Sequence, residues 1–356
     1  MMGQKLLSKW MDTRFGAIVQ DSVNNPHFNA SDRVARILYR LSAYRRLSWH
    51  MLCRGVPARE ILRTQFPLIE PNPHGPTLVS VEFTNYCNLR CVYCTSPLGL
   101  RPRGFMQRET FERFLEGIKQ LRVSRVNVVG NGESTLHPEF TSFIRELGRS
   151  VPYVLVLTNG QWKRPKDIIN AVLEAPVSVV GVSVDGGDKE GYEKSRLGGH
   201  FERLLENLTL LSTSKRTLRS HTMTYICLML RPSERAVEKE LMAFWSNYAD
   251  IVMPQYLQVR RHLAYKEDVY MPVEFDSQSY PKCSLPFKAL DVNWNGDVPL
   301  CSYSAQQIGA PGLILGNVMT DMLGDIWNGN VMSQYREGHY RRDTSKMPIC
   351  KGCPGV

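Results

Sequence analysis

The chain has 356 residues, 43% apolar and 22% charged, with 44 basic against 34 acidic side chains and a net charge of +10. That balance suits a large soluble core, and no apolar run approaches the roughly 18 residues a membrane crossing needs. The start, MMGQKLLSKWMDTRFG, is broken by Lys5, Lys9, Asp12 and Arg14, which excludes a secretory signal and leads us to expect a cytoplasmic protein.

Residues 1–28 carry no clear period. From Ser31, with Ser31 or Asn29 as cap, Val34, Ile37, Leu38 and Leu41 fall on one stripe and predict a helix. Between Ser31 and Phe66, eight arginines stand against Asp32 and Glu60, a local charge of +6. Such a stretch is either a solvated face on a docked helical extension or a surface for nucleic acid, an anionic membrane or an acidic partner. Pro57 fits the first position of a further helix ending near Phe66. The proline-rich link PLIEPNPHGP (67–76) then closes a basic N-terminal extension, residues 1–76.

From Thr77, β-branched apolar runs appear at 78–86, 125–130, 153–158, 178–185, 221–230 and 250–259. Helical patterns lie between them at 109–121, 137–149, 166–174, 201–213 and 234–248; in the first, Phe111, Phe114, Leu115, Ile118 and Leu121 share a face. Strands alternating with helices predict an α/β fold with a parallel sheet. Six such units over 77–259 fit a partial (β/α)6 TIM-like barrel, with chemistry gathered at the C-terminal strand ends. Ser80, Glu82 and Thr84 alternate with Val79, Val81 and Phe83, and Gly181, Ser183 and Asp185 with Val180, Val182 and Val184. One face of each strand is therefore small and polar, which points to a ligand cavity. Residues 260–282 read as a loop-rich bridge, and 283–356 as a small cysteine-bearing cap.

Nine cysteines without a secretory signal point to metal or redox chemistry rather than a disulfide frame. Cys87, Cys91 and Cys94 crowd together, Cys283, Cys301, Cys350 and Cys353 lie late in the chain, and only Cys53 and Cys227 stand alone. The first three form C-x3-C-x2-C just past the first strand, in TNYCNLRCVYCTSP. Soft thiolates suit zinc or iron–sulfur. A structural zinc site wants four ligands, usually in C-x2-C pairs, whereas a lone triplet can hold three irons of a 4Fe–4S cluster and leave the fourth open.

This motif after a first strand resembles the signature of the radical SAM superfamily. The resemblance implies that Cys87, Cys91 and Cys94 ligate a 4Fe–4S cluster whose open iron binds S-adenosylmethionine (SAM), with Tyr93 beside the adenine. It further implies an external reductant such as flavodoxin or ferredoxin. GNGE, residues 130–133, is similar to the family's glycine-glycine-glutamate motif, which would set Gly130, Asn131, Gly132 and Glu133 against the methionine amino group. Asn131 departs from the usual glycine. The segment SVDGGDKEGYEKSRLGG resembles the same region of the family's peptide- and metabolite-modifying branch, and by that likeness Ser183, Asp185 and Arg196 lie on the ribose and carboxylate side of SAM. TNG at 158–160 reads as an ordinary turn.

Cys283, Cys301, Cys350 and Cys353 can close a second 4Fe–4S cluster or a zinc site. Their order around an aromatic-Asn-Gly-Asp turn, GN-V, IW and a final C-x2-C looks like the SPASM/twitch caps of radical SAM enzymes, here with one auxiliary cluster. The domain so implied is 260–356. The resemblance implies two 4Fe–4S clusters, SAM cleavage to a 5′-deoxyadenosyl radical, and oxidation or other modification of a natural-product sugar, aminocyclitol or other small molecule. A peptide maturase or epimerase is the alternative, and a zinc protein binding nucleic acid is the alternative from another class. Cys227, mid-strand, is either a core residue or a hydrogen-atom donor to a substrate radical. Asp291 and Asp297 are the candidate bases in the cap.

Overall fold

The computed structural model describes residues 46–56, 60–61, 75–99, 101–175, 177–256, 283–301, 314–343, 345–347 and 350. The helix expected from Ser31, most of the one opened by Pro57, the proline-rich link up to His74, the bridge 260–282 and Cys353 lie outside the described residues. The chain divides into two compact units, Met1–His50 and Met51–Val356, and the sheet with its helices lies in the second.

The six expected strands are present as β1 (Leu78–Val81), β3 (Arg125–Val128), β4 (Tyr153–Thr158), β5 (Val179–Asp185), β7 (Met223–Leu230) and β8 (Ile251–Tyr256). Two-residue strands β2 (Arg90–Cys91) and β6 (Arg196–Leu197) stand apart from them. The expected helices are α1 (Arg108–Gln120), α2 (Phe140–Ser150), α3 (Pro165–Glu174), α5 (Phe201–Thr217) and α6 (Glu238–Trp245). A short α4 (Lys189–Ser195) was not expected; Asp188 caps it by accepting from the Gly191 amide at 2.7 Å.

The sheet runs β8-β7-β5-β4-β3-β1 and then adds a seventh strand, β9 (Ala289–Val292), every neighbouring pair being parallel. It is an open, partial barrel. The strand from the cysteine-bearing cap lies residue for residue beside β1, from Leu78↔Ala289 to Val81↔Val292. The Thr77 and Glu82 amides extend the pairing by donating to the Lys288 and Val292 carbonyls, each at 2.9 Å.

The pleat explains the two-sided sequence pattern. Val79, Val81, Val126, Val128, Val154, Val156, Val180, Val182 and Val184 are buried in the core shared with the helices. The alternate residues Ser80, Asn127, Leu155 and Ser183 are only half-buried on the other face. On the helix side, Phe111, Phe114, Leu115 and Ile118 form the buried stripe of α1, and Phe140, Phe143, Ile144 and Leu147 that of α2. Phe111 and Phe143 stack across the two helices at 3.9 Å between ring centroids. Arg108 caps this contact, pairing with Glu139 and Glu146 at 2.6 Å each.

One ion pair ties α5 to the β7–β8 edge. Asp250 accepts from Lys215 Nζ, from the Thr224 amide at 2.7 Å and from Thr224 Oγ1 at 2.9 Å. Partial burial alone would raise its pKa, but the bonds from Lys215 and Thr224 prevail and hold it below the ordinary aspartate value of 3.8. A depressed carboxylate contributes stability above its unfolded value and loses it as pH falls through the folded one. Asp250→Asn should therefore lose about 1 kcal/mol near pH 6 and show a smaller further loss at pH 3 than the wild type. Urea unfolding at the two pH values checks this, and identical acid sensitivity in both proteins would contradict it.

The cap continues from β9 through a tight turn at Asn293–Gly296, where Gly296 takes φ +87°. It then forms β10 (Asp297–Pro299) antiparallel to β11 (Ile314–Asn317), followed by α8 (Leu323–Asn328) and α9 (Asn330–Arg341); a short α7 (Leu285–Lys288) precedes β9. Trp294, in the turn, lies against Gly104, where a Cβ would sit 2.3 Å from the indole ring. The absence of a side chain at residue 104 thus lets the cap rest on the loop that follows the first cysteines.

Candidate active site

The backbone beyond β1 leaves the sheet at Glu82 and carries Cys87, Cys91 and Cys94 on one loop above the C-terminal strand ends. Backbone bonds hold this loop in shape. β2 pairs antiparallel with β6, setting Cys91 opposite Arg196 and Arg90 opposite Leu197. The Val92 amide donates to the Ser195 carbonyl at 3.0 Å, and the Cys94 amide to the Cys91 carbonyl at 3.0 Å. Cys87 Sγ accepts from the Leu89 amide and Cys94 Sγ from the Ser96 amide, both at 3.4 Å.

All three thiols are half-buried, and burial pushes Cys87 up to about 11, Cys91 up to about 12, and Cys94 upward as well. Three thiols held near one another and burdened by desolvation fit a soft metal group, because metal ligation compensates the thiolate form that burial penalises. Among the described residues, no three His, Cys, Asp or Glu side chains converge on a position for a single metal ion.

The expected motif residues surround this loop. Gly132 presses against the chain that leads into it: a Cβ there would lie 2.3 Å from the Thr84 carbonyl oxygen and 2.6 Å from that of Tyr86. Only glycine permits that approach. Gly130 is similarly confined, its Cβ position lying 2.4 Å from Glu82 Cγ. Glu133 is buried, and burial raises its pKa against the opposing bonds from Thr135, Thr158 and Asn159. Its Oε1 accepts from Thr158 Oγ1 at 2.6 Å and from Thr135, while Oε2 accepts the Asn159 amide at 2.7 Å. Oε2 thus has acceptor capacity left, whereas Oε1 is saturated.

Asp185, at the end of β5, is the hub of a second buried group. Its Oδ1 accepts from Arg196 Nε at 2.8 Å and Tyr93 OH at 2.9 Å, and its Oδ2 from Ser195 Oγ. Asp185 and Arg196 are 3% and 4% exposed, so neither charge is balanced by water. Burial opposes the Arg196 charge, but the carboxylate beside it prevails and keeps the guanidinium charged. Its guanidinium carbon lies 5.9 Å from the centre of the Tyr93 ring. Tyr93, Asp185 and Arg196 are brought together, then, as one unit beside Cys91. Ser183 is on the inner face, two residues earlier on β5.

Two sets of residues are missed by the sequence reading. Asn159, in the turn passed over at 158–160, donates through Nδ2 to Asn88 Oδ1 at 2.8 Å and lies 3.8 Å from Cys87 Sγ. Gln161 donates to Tyr192 OH and the His200 carbonyl, and its own carbonyl accepts from Asn88 at 3.1 Å. A turn dipeptide carries no sign of these long-range bonds. The other set is Glu82 with Arg101: one guanidinium nitrogen reaches both carboxylate oxygens, at 2.9 and 2.8 Å, and the Asn131 amide adds a bond to Oε2 at 2.7 Å. The period-2 alternation exposes Glu82 as inward-facing, but nothing local reveals Arg101 as its partner.

Cys227 lies on the inner face of β7, buried, opposite Ser183 in register and 3.9 Å from Met229 Sδ. Burial raises its thiol pKa. Asp291 is on β9 beside Ser80, whereas Asp297 accepts the Asn317 amide at 2.9 Å and the Asn295 amide at 2.6 Å, which gives it a turn-forming role in the cap.

In the cap, Cys283, Cys301 and Cys350 are half-buried. Cys301 and Cys350 both act electrostatically on Tyr335, whose pKa is raised by burial and then by these thiols. Cys350 Sγ lies 3.6 Å from His339 Nε2, and burial lowers the imidazole pKa. Cys283 lies close enough to Lys288 to favour its charge, although burial lowers the lysine pKa overall. Arg336 donates to the Pro286 carbonyl at 2.7 Å and lies 4.1 Å over the Trp327 ring. Its NH2 is buried without a hydrogen-bond partner, as is Ser284 Oγ. Burial lowers Arg336 to about 10, which leaves it charged at neutral pH. Arg336 thus brings a buried guanidinium nitrogen without a hydrogen-bond partner to the chain three residues after Cys283, an arrangement that suits a negatively charged group nearby.

No helix among the described residues is long and apolar enough to cross a membrane. The chain matches the family model of the radical SAM superfamily over residues 81–239 and that of the iron–sulfur cluster-binding SPASM domain over residues 283–354. It is similar to mycofactocin maturase MftC of Mycobacterium ulcerans, 33% identical over 148 residues that make up 40% of this chain and 39% of that protein. It is also similar to GTP 3′,8-cyclase of Listeria welshimeri, 25% identical over 135 residues, 36% of this chain and 40% of that protein. The matched stretch thus spans about two fifths of these relatives. Among solved structures, BtrN in complex with AdoMet and 2-DOIA superposes with a TM-score of 0.53 at 15% identity, over 79% of this chain and 93% of that one. SuiB of Streptococcus suis bound to S-adenosylmethionine gives 0.53 at 14% identity, over 74% of this chain and 68% of that one. At these identities the likeness shows a common fold.

Proposed function

We propose that this chain, with its radical SAM match over 81–239 and its iron–sulfur cluster-binding match over 283–354, uses Cys87, Cys91 and Cys94 to hold the cluster at which SAM is cleaved. A single observation carries the reading: β2 and β6 clamp the cysteine loop so that the buried Tyr93–Asp185–Arg196 unit lies directly beside it. Bound with SAM and supplied with one electron, such a cluster would provide reductive cleavage of SAM, and with it the means to remove a hydrogen atom from substrate.

The chain's own residues have definite parts in this. Glu133 offers its remaining Oε2 acceptor site to an ammonium, and Gly132 keeps the surrounding backbone close enough to do so. Asp185 spends its oxygens on Arg196, Tyr93 and Ser195, which fixes the guanidinium and the tyrosine ring as a rigid wall. Asn159 orients Cys87 and ties the loop to β4. Substrate lies on the half-buried inner face of the sheet, among Ser80, Asn127 and Ser183. Cys283, Cys301, Cys350 and Cys353 would hold one auxiliary cluster, a group that would supply one-electron chemistry beside the substrate. The division into 1–76, 77–259 and 260–356 belongs to the same proposal, as do a cytoplasmic setting and an external reductant.

The small polar inner face favours a small hydroxylated or amino-bearing substrate. A peptide substrate is the second reading, favoured by the likeness in fold to SuiB, solved bound to its precursor peptide SuiA; in an epimerising enzyme Cys227, inward and protonated, would return the hydrogen atom. Anaerobic purification followed by dithionite and SAM tests the main reading. We expect a brown protein with about eight irons per chain and 5′-deoxyadenosine as a product. A colourless protein with stoichiometric zinc and no 5′-deoxyadenosine would sink it.

A further inference from the structure

Among the polar side chains of helix α9, Tyr335, Arg336 and His339 have no part in SAM cleavage. Tyr335 and His339 are one turn apart, as are Arg336 and His339, so they share a side of the helix. His339 is 1% exposed, and its Nε2 lies 3.6 Å from Cys350 Sγ. Tyr335 lies within electrostatic reach of Cys301 and Cys350. Arg336 reaches the chain three residues after Cys283 through the Pro286 carbonyl, and among the described residues it has no carboxylate partner. One helix therefore brings a ring nitrogen and an uncompensated cation to the stretches that bear three of the four late cysteines.

We propose that α9 sets the reduction potential of the auxiliary cluster, His339 donating a hydrogen bond from Nε2 to the Cys350 thiolate and Arg336 supplying positive charge. This rests on the auxiliary-cluster reading above. A metal-bound thiolate has no proton and can only accept, so the facing ring nitrogen must be the protonated one. Hydrogen bonds to the sulfurs and net local charge are among the factors that place such clusters within their wide range of potentials. Adding one electron makes the cluster more negative, and both a donor to sulfur and a nearby cation favour that reduced form. The pair makes the cluster a better one-electron acceptor, as oxidation of a substrate radical requires. Arg336 and His339 are positioning residues here, acting through the cluster without touching the substrate.

The test is a redox titration of the full-length, two-cluster protein at fixed pH, followed by electron paramagnetic resonance. The signal insensitive to added SAM reports the auxiliary cluster. His339→Ala should shift its reduction equilibrium at least tenfold against reduction, about 59 mV for one electron. His339→Gln, whose amide can donate from a similar place, should restore most of the shift. Arg336→Met should move the potential in the same direction as His339→Ala, and Arg336→Lys less. Unchanged potentials in His339→Ala and Arg336→Met, with iron content intact, would overturn the inference. So would equal loss of the auxiliary iron from His339→Ala and His339→Gln, which would make the histidine a ligand or a packing residue. Wild-type protein with only one cluster's worth of iron would bring down the auxiliary-cluster reading itself, and this inference with it.

Discussion

Replacing Cys87, Cys91 and Cys94 together by alanine is expected to end 5′-deoxyadenosine formation while leaving a folded chain that holds about four irons instead of about eight. The two halves of that expectation have separate physical grounds. The fold should survive because the loop is held by main-chain bonds, β2 to β6, Val92 to Ser195 and Cys94 to Cys91, none of which uses a thiol. The anchors Asn88, Asn159 and Gln161 also keep most of their mutual bonds without Cys87. In the metal-free protein burial keeps all three thiols protonated at neutral pH, so alanine removes no buried charge and the metal-free variant should still fold. Activity should vanish because no soft ligands remain above the strand ends. Iron analysis, thermal melting of the metal-free proteins and product chromatography check the parts separately. Persistent 5′-deoxyadenosine at the wild-type rate would refute the assignment of these cysteines.

Asp185 has the next largest expected effect, this time on stability. The carboxylate and Arg196 are both almost wholly buried, so removing the acid strands a guanidinium in a region that water does not reach. Breaking one partner out of such a pair costs about 3–5 kcal/mol, whereas replacing both by apolar residues is often near neutral. Asp185→Ala should accordingly unfold at markedly lower urea concentration, and Asp185→Leu combined with Arg196→Leu should recover most of the loss. The double variant should still fail to form 5′-deoxyadenosine, because the wall beside Cys91 has lost both its charge and its hold on Tyr93. A single variant as stable as wild type would show that the pair is not isolated from solvent. Full activity in the double variant would remove it from the site.

The strand–helix alternation from Thr77 was legible because β1, β3 and β5 present valines to the helices and Ser80, Asn127 and Ser183 to the other face, a period-2 signal independent of tertiary partners. The stripes of α1 and α2 were legible for the analogous helical reason. The first strand was drawn too long: the alternation continues through Thr84, but the ladder with β3 ends at Val81, where the chain lifts towards the cysteines. What local pattern could not carry was long-range partnership. Ala289–Val292, four residues interrupted by Asp291, carries no clear strand pattern, and its place beside β1 depends on residues about two hundred positions away. Arg101 and Asn159 look like loop residues until Glu82 and Glu133 are seen to need them. The cysteines were visible because their chemistry is carried by residue type and spacing, while the side chains that orient them belong to other strands.

The seam between β1 and β9 bears on how such a chain must be made. Thr77 bonds to Lys288 across 211 positions of sequence, so a polypeptide leaving the ribosome N-terminus first has one flank of β1 bare through most of its synthesis. Throughout that interval the first three thiols hang from a half-paired strand, and only the arrival of the late segment gives their support its final neighbour. Metal delivered to a nascent chain would meet an unfinished receptacle; delivered after release, it would find the same thiols braced on both sides.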